Sequence, residues 1–138
     1  MWKILVVDDE PREHALLSLM LPPEFELFSC FNGNEAIAAV TRKKPDLILL
    51  DMLLPDMSGI DFLRVLADEE LKPPLIMVTS CKDTRLVVEA VKAGADEFIV
   101  KPYTHERLLA SIRGHLHAVR GTKKNWVTAE ESSAWGLI

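Results

Sequence analysis

No apolar stretch of this chain approaches the roughly 20 residues that a membrane-spanning helix needs, so no membrane association is expected. Positive charge is in short supply. Sixteen lysines and arginines against 21 aspartates and glutamates leave a net charge of −5, which gives no reason to expect direct binding to nucleic acid. Cysteine is scarce as well. Cys30 and Cys81 lack any metal-ligand spacing and are expected to be buried free thiols of a cytosolic protein. There is no Walker A glycine loop, zinc spacing or histidine triad. His115 and His117 stand two apart on a helical stretch and so face different ways, which argues against a metal pair. Met1-Trp2-Lys3 leads straight into a strand-like run with no signal peptide, and a cytoplasmic location is expected.

What remains is material for one folded core, with 49% hydrophobic and 27% charged residues. Short apolar runs alternate with helical patterns as far as about residue 119. The runs Trp2–Val7, Phe25–Phe31, Asp46–Leu50, Leu75–Val78 and Glu97–Val100 read as strands. Ile4 to Val7 and Leu47 to Leu50 are continuously apolar, as central strands covered on both faces are. Phe25–Phe31 is mixed in polarity and reads as an edge strand. Between the strands, Pro11 suits a first helical turn, with Leu16, Leu17, Met20 and Leu21 as its apolar stripe. Asn34 precedes a second helix, and Ser58 or Asp61 begins a third. Asp83 caps a fourth, carrying Leu86, Val87, Ala90 and Val91 and stopping at Gly94. Thr104 caps a fifth, carrying Leu108, Leu109, Ile112 and Leu116. The expected architecture is α/β: a (βα)5 doubly wound, five-stranded parallel sheet of order 2-1-3-4-5, flavodoxin-like.

The non-apolar residues then fall into place. Asp8 and Asp9 follow the first strand, Asp51 the third, Thr79 the fourth and Lys101 the fifth. All lie at carboxyl ends of buried strands, where open α/β sheets place their ligands. Neighbouring strands put Asp9 and Asp51 about 5 Å apart, while Lys101 starts about 10 Å away and reaches back on its long stem. An isolated Asp after a strand is usually a cap or turn residue. Three carboxylates at one sheet edge are different, because they repel one another, raise one another's pKa and call for a cation. Hard oxygen ligands select Mg2+. A carboxylate beside that ion, with no proton-transfer partner, points to phosphoryl chemistry in which Asp51 forms an acyl phosphate.

Five motifs occur in order: Val6-Val7-Asp8-Asp9-Glu10, then Asp51 through Pro55-Asp56-Met57-Ser58-Gly59, then Thr79-Ser80, Gly94-Ala95-Asp96 and Lys101-Pro102-Tyr103. From Lys3 to about Arg120 the chain resembles the receiver domains of two-component response regulators. The resemblance implies that Asp51 is the phosphoacceptor, served by a sensor histidine kinase or a phosphotransfer protein. It implies Mg2+ bound by Asp9, Asp51 and the backbone carbonyl of Leu53, with Asp8 acting mainly through water. It gives Lys101 the phosphoryl oxygens, with a cis Lys101–Pro102 bond. Thr79 becomes the switch hydroxyl and Phe98 the aromatic that turns inward with it. No separate substrate turnover is implied, only help with the chain's own phosphorylation and dephosphorylation. Leu53 and Cys81 are apolar where relatives can carry a water-placing polar group, which implies a long-lived phosphate.

Three rival readings fare worse. A flavodoxin-like phosphate binder would be repelled by Asp8-Asp9-Glu10. A phosphatase of the haloacid dehalogenase type would want a carboxylate where Leu53 stands. A degenerate receiver that only binds partners would have a broken acidic pocket. A receiver domain over residues 1–120 is expected, and then a tail over 121–138. That tail reads as a basic linker (Lys123, Lys124), a capping box from Thr128 to Glu131, and Trp135 and Leu137 in a short helix or a disordered end. Asp96, Glu97, Arg107 and Arg113 are candidate charges for a phosphorylation-dependent homodimer, and the output partner is left open.

Overall fold

The computed structural model describes residues 1–68 and 72–124, with side chains as far as residue 118. The chain divides into two compact units, Met1–Tyr103 and one beginning at Thr104. In the first, β1 (Trp2–Val7), β2 (Phe25–Cys30), β3 (Leu47–Leu50), β4 (Leu75–Thr79) and β5 (Glu97–Val100) form one parallel sheet of order β2-β1-β3-β4-β5. Its connections hold α1 (Pro11–Met20), α2 (Gly33–Lys43), α3 (Gly59–Leu66) and α4 (Thr84–Ala93). The second unit carries α5 (His105–Lys124). The fold is the expected (βα)5, flavodoxin-like arrangement. Among the described residues, no helix is long and apolar enough to cross a membrane.

The apolar runs explain the strand order. Every residue of β3 and β4 is buried, as are Ile4 to Val7 of β1, because central parallel strands are covered on both faces. At the edges, Glu26 and Ser29 of β2 and Val100 of β5 are exposed. Phe62 and Leu63 of α3 are fully buried in the same core as Leu5, Ile48 and Met77. Truncating either to alanine removes contacts worth about 3 kcal/mol.

Helix starts follow local chemistry, with two refinements. The cap of α2 is Asn32 rather than Asn34: its side chain accepts the Glu35 N–H at 2.8 Å, and Asn34 lies inside the helix. Between Ser58 and Asp61, Ser58 is the cap of α3, accepting the Asp61 N–H at 3.0 Å. Asp83 caps α4 through the Arg85 N–H, and Thr104 accepts the Arg107 N–H at the start of α5. Gly94 ends α4 at φ 121°, a conformation that a side chain would strain. The expected stripes are only partly buried: Leu17, Leu21 and Ala90 are covered, whereas Leu16 and Val91 are exposed. In the second unit Leu108, Ile112 and Leu116 are buried at helical spacing.

The boundary expected at residue 120 falls inside α5, which runs on through Lys123 and Lys124. A single Gly121 does not break the helix, and no proline follows it. The capping box from Thr128 to Glu131, with Trp135 and Leu137, lies outside the described residues.

Candidate functional site

The register of the sheet assembles the site. Val7 pairs with Leu50, so Asp8 and Asp51 leave neighbouring strands side by side, and the Asp51 N–H donates to the Val7 carbonyl at 2.9 Å. Thr79 closes β4, and the Lys101 N–H donates to its carbonyl at 2.8 Å. Gly59 allows the β3–α3 loop to fold back tightly. Its N–H donates to the Met52 carbonyl at 2.7 Å, and a Cβ there would lie 2.8 Å from the Asp51 carbonyl oxygen.

Lys101 reaches back as its long stem permits. Its ammonium stands between two carboxylates, 2.8 Å from Asp8 Oδ2 and 3.1 Å from Asp51 Oδ2. The other oxygen of Asp51 accepts the Thr79 hydroxyl at 2.7 Å and the Leu53 N–H at 3.1 Å. Asp8 Oδ1 accepts the Glu10 N–H at 2.9 Å. Asp8, Asp51 and Thr79 are buried, at 3%, 9% and 0% exposure, while Asp9 is exposed. Three of the expected residues thus surround Asp51 in direct contact or one atom removed, and Asp9 sits at the solvent rim.

Burial holds the Asp8 carboxyl above the ordinary carboxylate range, against the hydrogen bonds from Lys101 and Glu10, and the like charge of Asp51 adds least to the rise. Carboxylate crowding therefore has the expected sign, but desolvation leads it. Burial also works to lower the Lys101 pKa, yet the Asp8 hydrogen bond and the surrounding carboxylates lift it above the ordinary lysine value. The ammonium stays charged and compensates the pocket.

Other expected positions are accounted for. The Lys101–Pro102 bond is cis. Phe98 is half-buried against the core. It pairs with Met77 while Thr79 pairs with Val100, so Phe98 lies on the same sheet face as Thr79, one side-chain period away. Leu53 is 64% exposed at the mouth of the site. Cys81 is half-buried, with its N–H 3.3 Å from the Thr79 hydroxyl oxygen. Cys30 is buried, and burial pushes its thiol pKa up. Both are free thiols, but only Cys30 is buried, where both were expected to be. Asp96 does not stand free as an interface charge, because its carboxylate accepts the Leu75 N–H at 2.8 Å.

Four further residues take part: Asp56 and Tyr103, which the motifs contain without an assigned role, and Glu13 and His14, which the sequence did not single out. Glu13 lies on the first turn of α1 with Oε2 4.0 Å from the Lys101 ammonium. Its Oε1 accepts the Tyr103 hydroxyl at 2.7 Å. His14 is buried, its ring 4.4 Å from that of Phe31, with Nε2 2.7 Å from the Asp8 carbonyl oxygen. A ring nitrogen facing a carbonyl must carry the hydrogen, so Nε2–H is the donor, and the buried Nδ1 has no hydrogen-bond partner among the described residues. Asp56 accepts the Gly33 and Asn34 N–H groups at 2.7 and 2.9 Å, which holds its carboxyl below the ordinary range and ties the β3–α3 loop to α2. For Glu13 a signal was available: the first turn of a helix that follows a strand's carboxyl end must overhang the site. Among the described residues, no three carboxylate, imidazole or thiol side chains converge as a ready cage for a metal.

The comparisons with known proteins bear on the family and the fold. The model of the family described as the response regulator receiver domain matches residues 4–113. The chain is 41% identical over 116 residues to the DNA-binding response regulator MtrA of Mycolicibacterium smegmatis, covering 83% of this chain and 50% of that one. The signal receiver domain of a putative LuxO repressor protein from Vibrio parahaemolyticus superposes with a TM-score of 0.84 at 31% identity, over 88% of this chain and 95% of that one. A CheY-like receiver domain protein from Methanospirillum hungatei does so with a TM-score of 0.80 at 30% identity, over 85% and 94%. The chain spans about half the length of the curated relatives it matches. One expectation is corrected here. Net charge argued against a nucleic-acid partner, yet the matched relatives are DNA-binding response regulators. The net charge of this chain does not bound what relatives about twice its length bind.

Proposed function

The chain belongs to the response regulator receiver domain family, and from that premise we propose that Asp51 accepts a phosphoryl group and that Thr79 and Phe98 convert its arrival into a change of surface. The observation that carries this reading is the Lys101 ammonium, 3.1 Å from Asp51 and 2.8 Å from Asp8 at the carboxyl edge of the sheet. One oxygen of Asp51 attacks phosphorus as the P–N bond of a phosphohistidine on a sensor kinase or phosphotransfer protein breaks. The imidazole leaves and takes up a proton, and Asp51 keeps the phosphoryl group as an acyl phosphate. Lys101 is placed to meet the negative charge on the equatorial oxygens.

The donor set suits Mg2+. Asp8, Asp9, Asp51 and the Leu53 backbone carbonyl offer hard oxygens only, and Mg2+ keeps several waters and takes one or two carboxylates, so a closed cage of three is not needed. Bound there, the ion supplies charge neutralisation at the transferring group. The chain's own residues do the rest. Thr79 donates to Asp51 Oδ1 in the unmodified protein, and a phosphoryl oxygen is a stronger acceptor that draws the hydroxyl toward it. Phe98, half-buried on the same face, follows into the vacated space. With Leu53 and Cys81 apolar, no side chain at those two positions places water, which supports a long phosphate lifetime. The kinship with DNA-binding response regulators points to a cytoplasmic output through a DNA-binding domain joined to this receiver.

Incubation with acetyl phosphate followed by intact mass measurement tests the assignment. Wild type gains one phosphoryl group with Mg2+ and none in EDTA, and Asp51→Asn gains none. Equal modification of Asp51→Asn would overturn the acceptor assignment.

A further inference from the structure

Glu13 and Tyr103 form an arm beside Lys101. The two residues lie 90 positions apart, and their hydrogen bond is short, 2.7 Å from the Tyr103 hydroxyl to Glu13 Oε1. That bond fixes the plane of the carboxylate and turns Oε2 toward the Lys101 ammonium, 4.0 Å away. Glu13 is well shielded, with its side chain 16% exposed, and shares the lining of a small cavity with Asp8 and Asp51. An ammonium has three donor directions. Two are taken by Asp8 and Asp51, and Glu13 Oε2 stands 4.0 Å away as the next carboxylate oxygen.

We propose that Glu13, oriented by Tyr103, is a positioning residue that holds the Lys101 ammonium over the acceptor. The proposal rests on the assignment of Asp51 and Lys101 made above. When a phosphoryl group occupies the space around Asp51, the contacts of Lys101 there must rearrange, whereas the anchor on α1 lies outside the reacting atoms and persists. A lysine stem has four rotatable carbons and loses much rotamer freedom when fixed. A nearby anion that limits its excursions keeps the ammonium where the equatorial oxygens arrive. Tyr103 enters only through Glu13, because no contact between its hydroxyl and Lys101 is needed.

The test uses Glu13→Gln, which keeps size and the acceptor for Tyr103 while removing charge, and Tyr103→Phe, which keeps the ring and frees the carboxylate to rotate. The rate of Asp51 modification by acetyl phosphate at fixed Mg2+ is measured in both variants and in the double variant. Each single change is expected to slow the reaction about threefold to tenfold, with the double no slower than the slower single, as for two parts of one device. Losses that multiply, or no loss in either single, overturn the proposal. The side-chain ammonium resonance of Lys101, assigned by comparison with Lys101→Arg, is the second readout. It is expected to shift in Tyr103→Phe although that hydroxyl lies beyond Glu13. A Lys101 resonance unmoved by both single changes also overturns it. Asp51→Asn run alongside separates the two levels: if that variant is modified like wild type, the acceptor assignment fails, while the Lys101 resonance still decides the role of Glu13.

Discussion

The strand β3 carries an aspartate at each end, and the two do different work. Asp46, at the amino end, accepts the Lys3 N–H at 2.8 Å. Asp96 does the same for the Leu75 N–H at that end of the sheet. These carboxylates close backbone hydrogen bonds where strands begin, and their lone pairs go to the fold. Asp51, at the carboxyl end of β3, accepts one backbone N–H, but its other partners are the side chains of Thr79 and Lys101. Residue type and an adjacent apolar run are shared by all three. What separates them is which end of a parallel sheet they occupy. At one end short loops consume polar groups, and at the other helix N-termini and long side chains converge on a crevice.

The contrast breaks most visibly at Lys101. Replacing it with methionine keeps the apolar stem and removes the charge that faces both Asp8 and Asp51. Modification of Asp51 by acetyl phosphate is expected to fall about 100-fold, the loss typical of a single preorganised charge-stabilising donor. Stopped-time mass measurements check it. A change of less than threefold would mean that the ammonium serves the fold, as Asp46 does.

Gly59→Ala comes next. A Cβ there meets backbone, 2.8 Å from the Asp51 carbonyl oxygen and 2.9 Å from Met52 Cα, and backbone cannot swing aside as a side-chain tip can. A loss of about 2 kcal/mol in urea unfolding is expected, together with slower modification as the Asp51 backbone is displaced. At the amino end, Asp46→Ala strands the Lys3 N–H and is expected to cost about 1 kcal/mol, with the rate of Asp51 modification unchanged. If Asp46→Ala slows modification as much as Gly59→Ala does, the two ends of the sheet are not functionally separate.

This separation also decides what could be read beforehand. The placement of Asp8, Asp51, Thr79 and Lys101 was legible because each follows or ends an apolar run and the order 2-1-3-4-5 gathers those ends, whereas the neighbour of Asp51 is Asp8 rather than the expected Asp9, which is exposed. The cap at Asn32 was misplaced to Asn34 because both residues flank Gly33, and only backbone geometry shows which carboxamide meets the Glu35 N–H. Leu16 and Val91 fit the apolar stripes yet face solvent, since periodicity locates a face but not its width. Asp56 binding the start of α2, and Tyr103 binding Glu13, are contacts across 23 and 90 positions that no local pattern encodes. The nucleic-acid expectation is an error of another kind, because net charge was read without the longer relatives, whose names carry DNA binding.

The smallest effect belongs to Tyr103 and is also the most specific, because it is the only tyrosine in the chain. Burial, then the hydrogen bond to Glu13, then the charges of Glu13 and Asp8 raise its phenol far above the ordinary value, which is about 10. In the unfolded chain the same phenol ionises near that ordinary value. The neutral phenol is thus favoured by the folded state, and the stability this confers is complete below about pH 10. It is lost as pH rises beyond that toward the folded midpoint. Tyrosinate absorbance in the native protein should appear only above the ordinary range, in step with alkaline unfolding. In Glu13→Gln the acceptor's charge is gone while burial remains, so the midpoint is expected to drop yet stay above the ordinary value. A midpoint identical in wild type and Glu13→Gln would show that the phenol is held by burial alone. Glu13 would then have no grip on Tyr103 through which to orient Lys101.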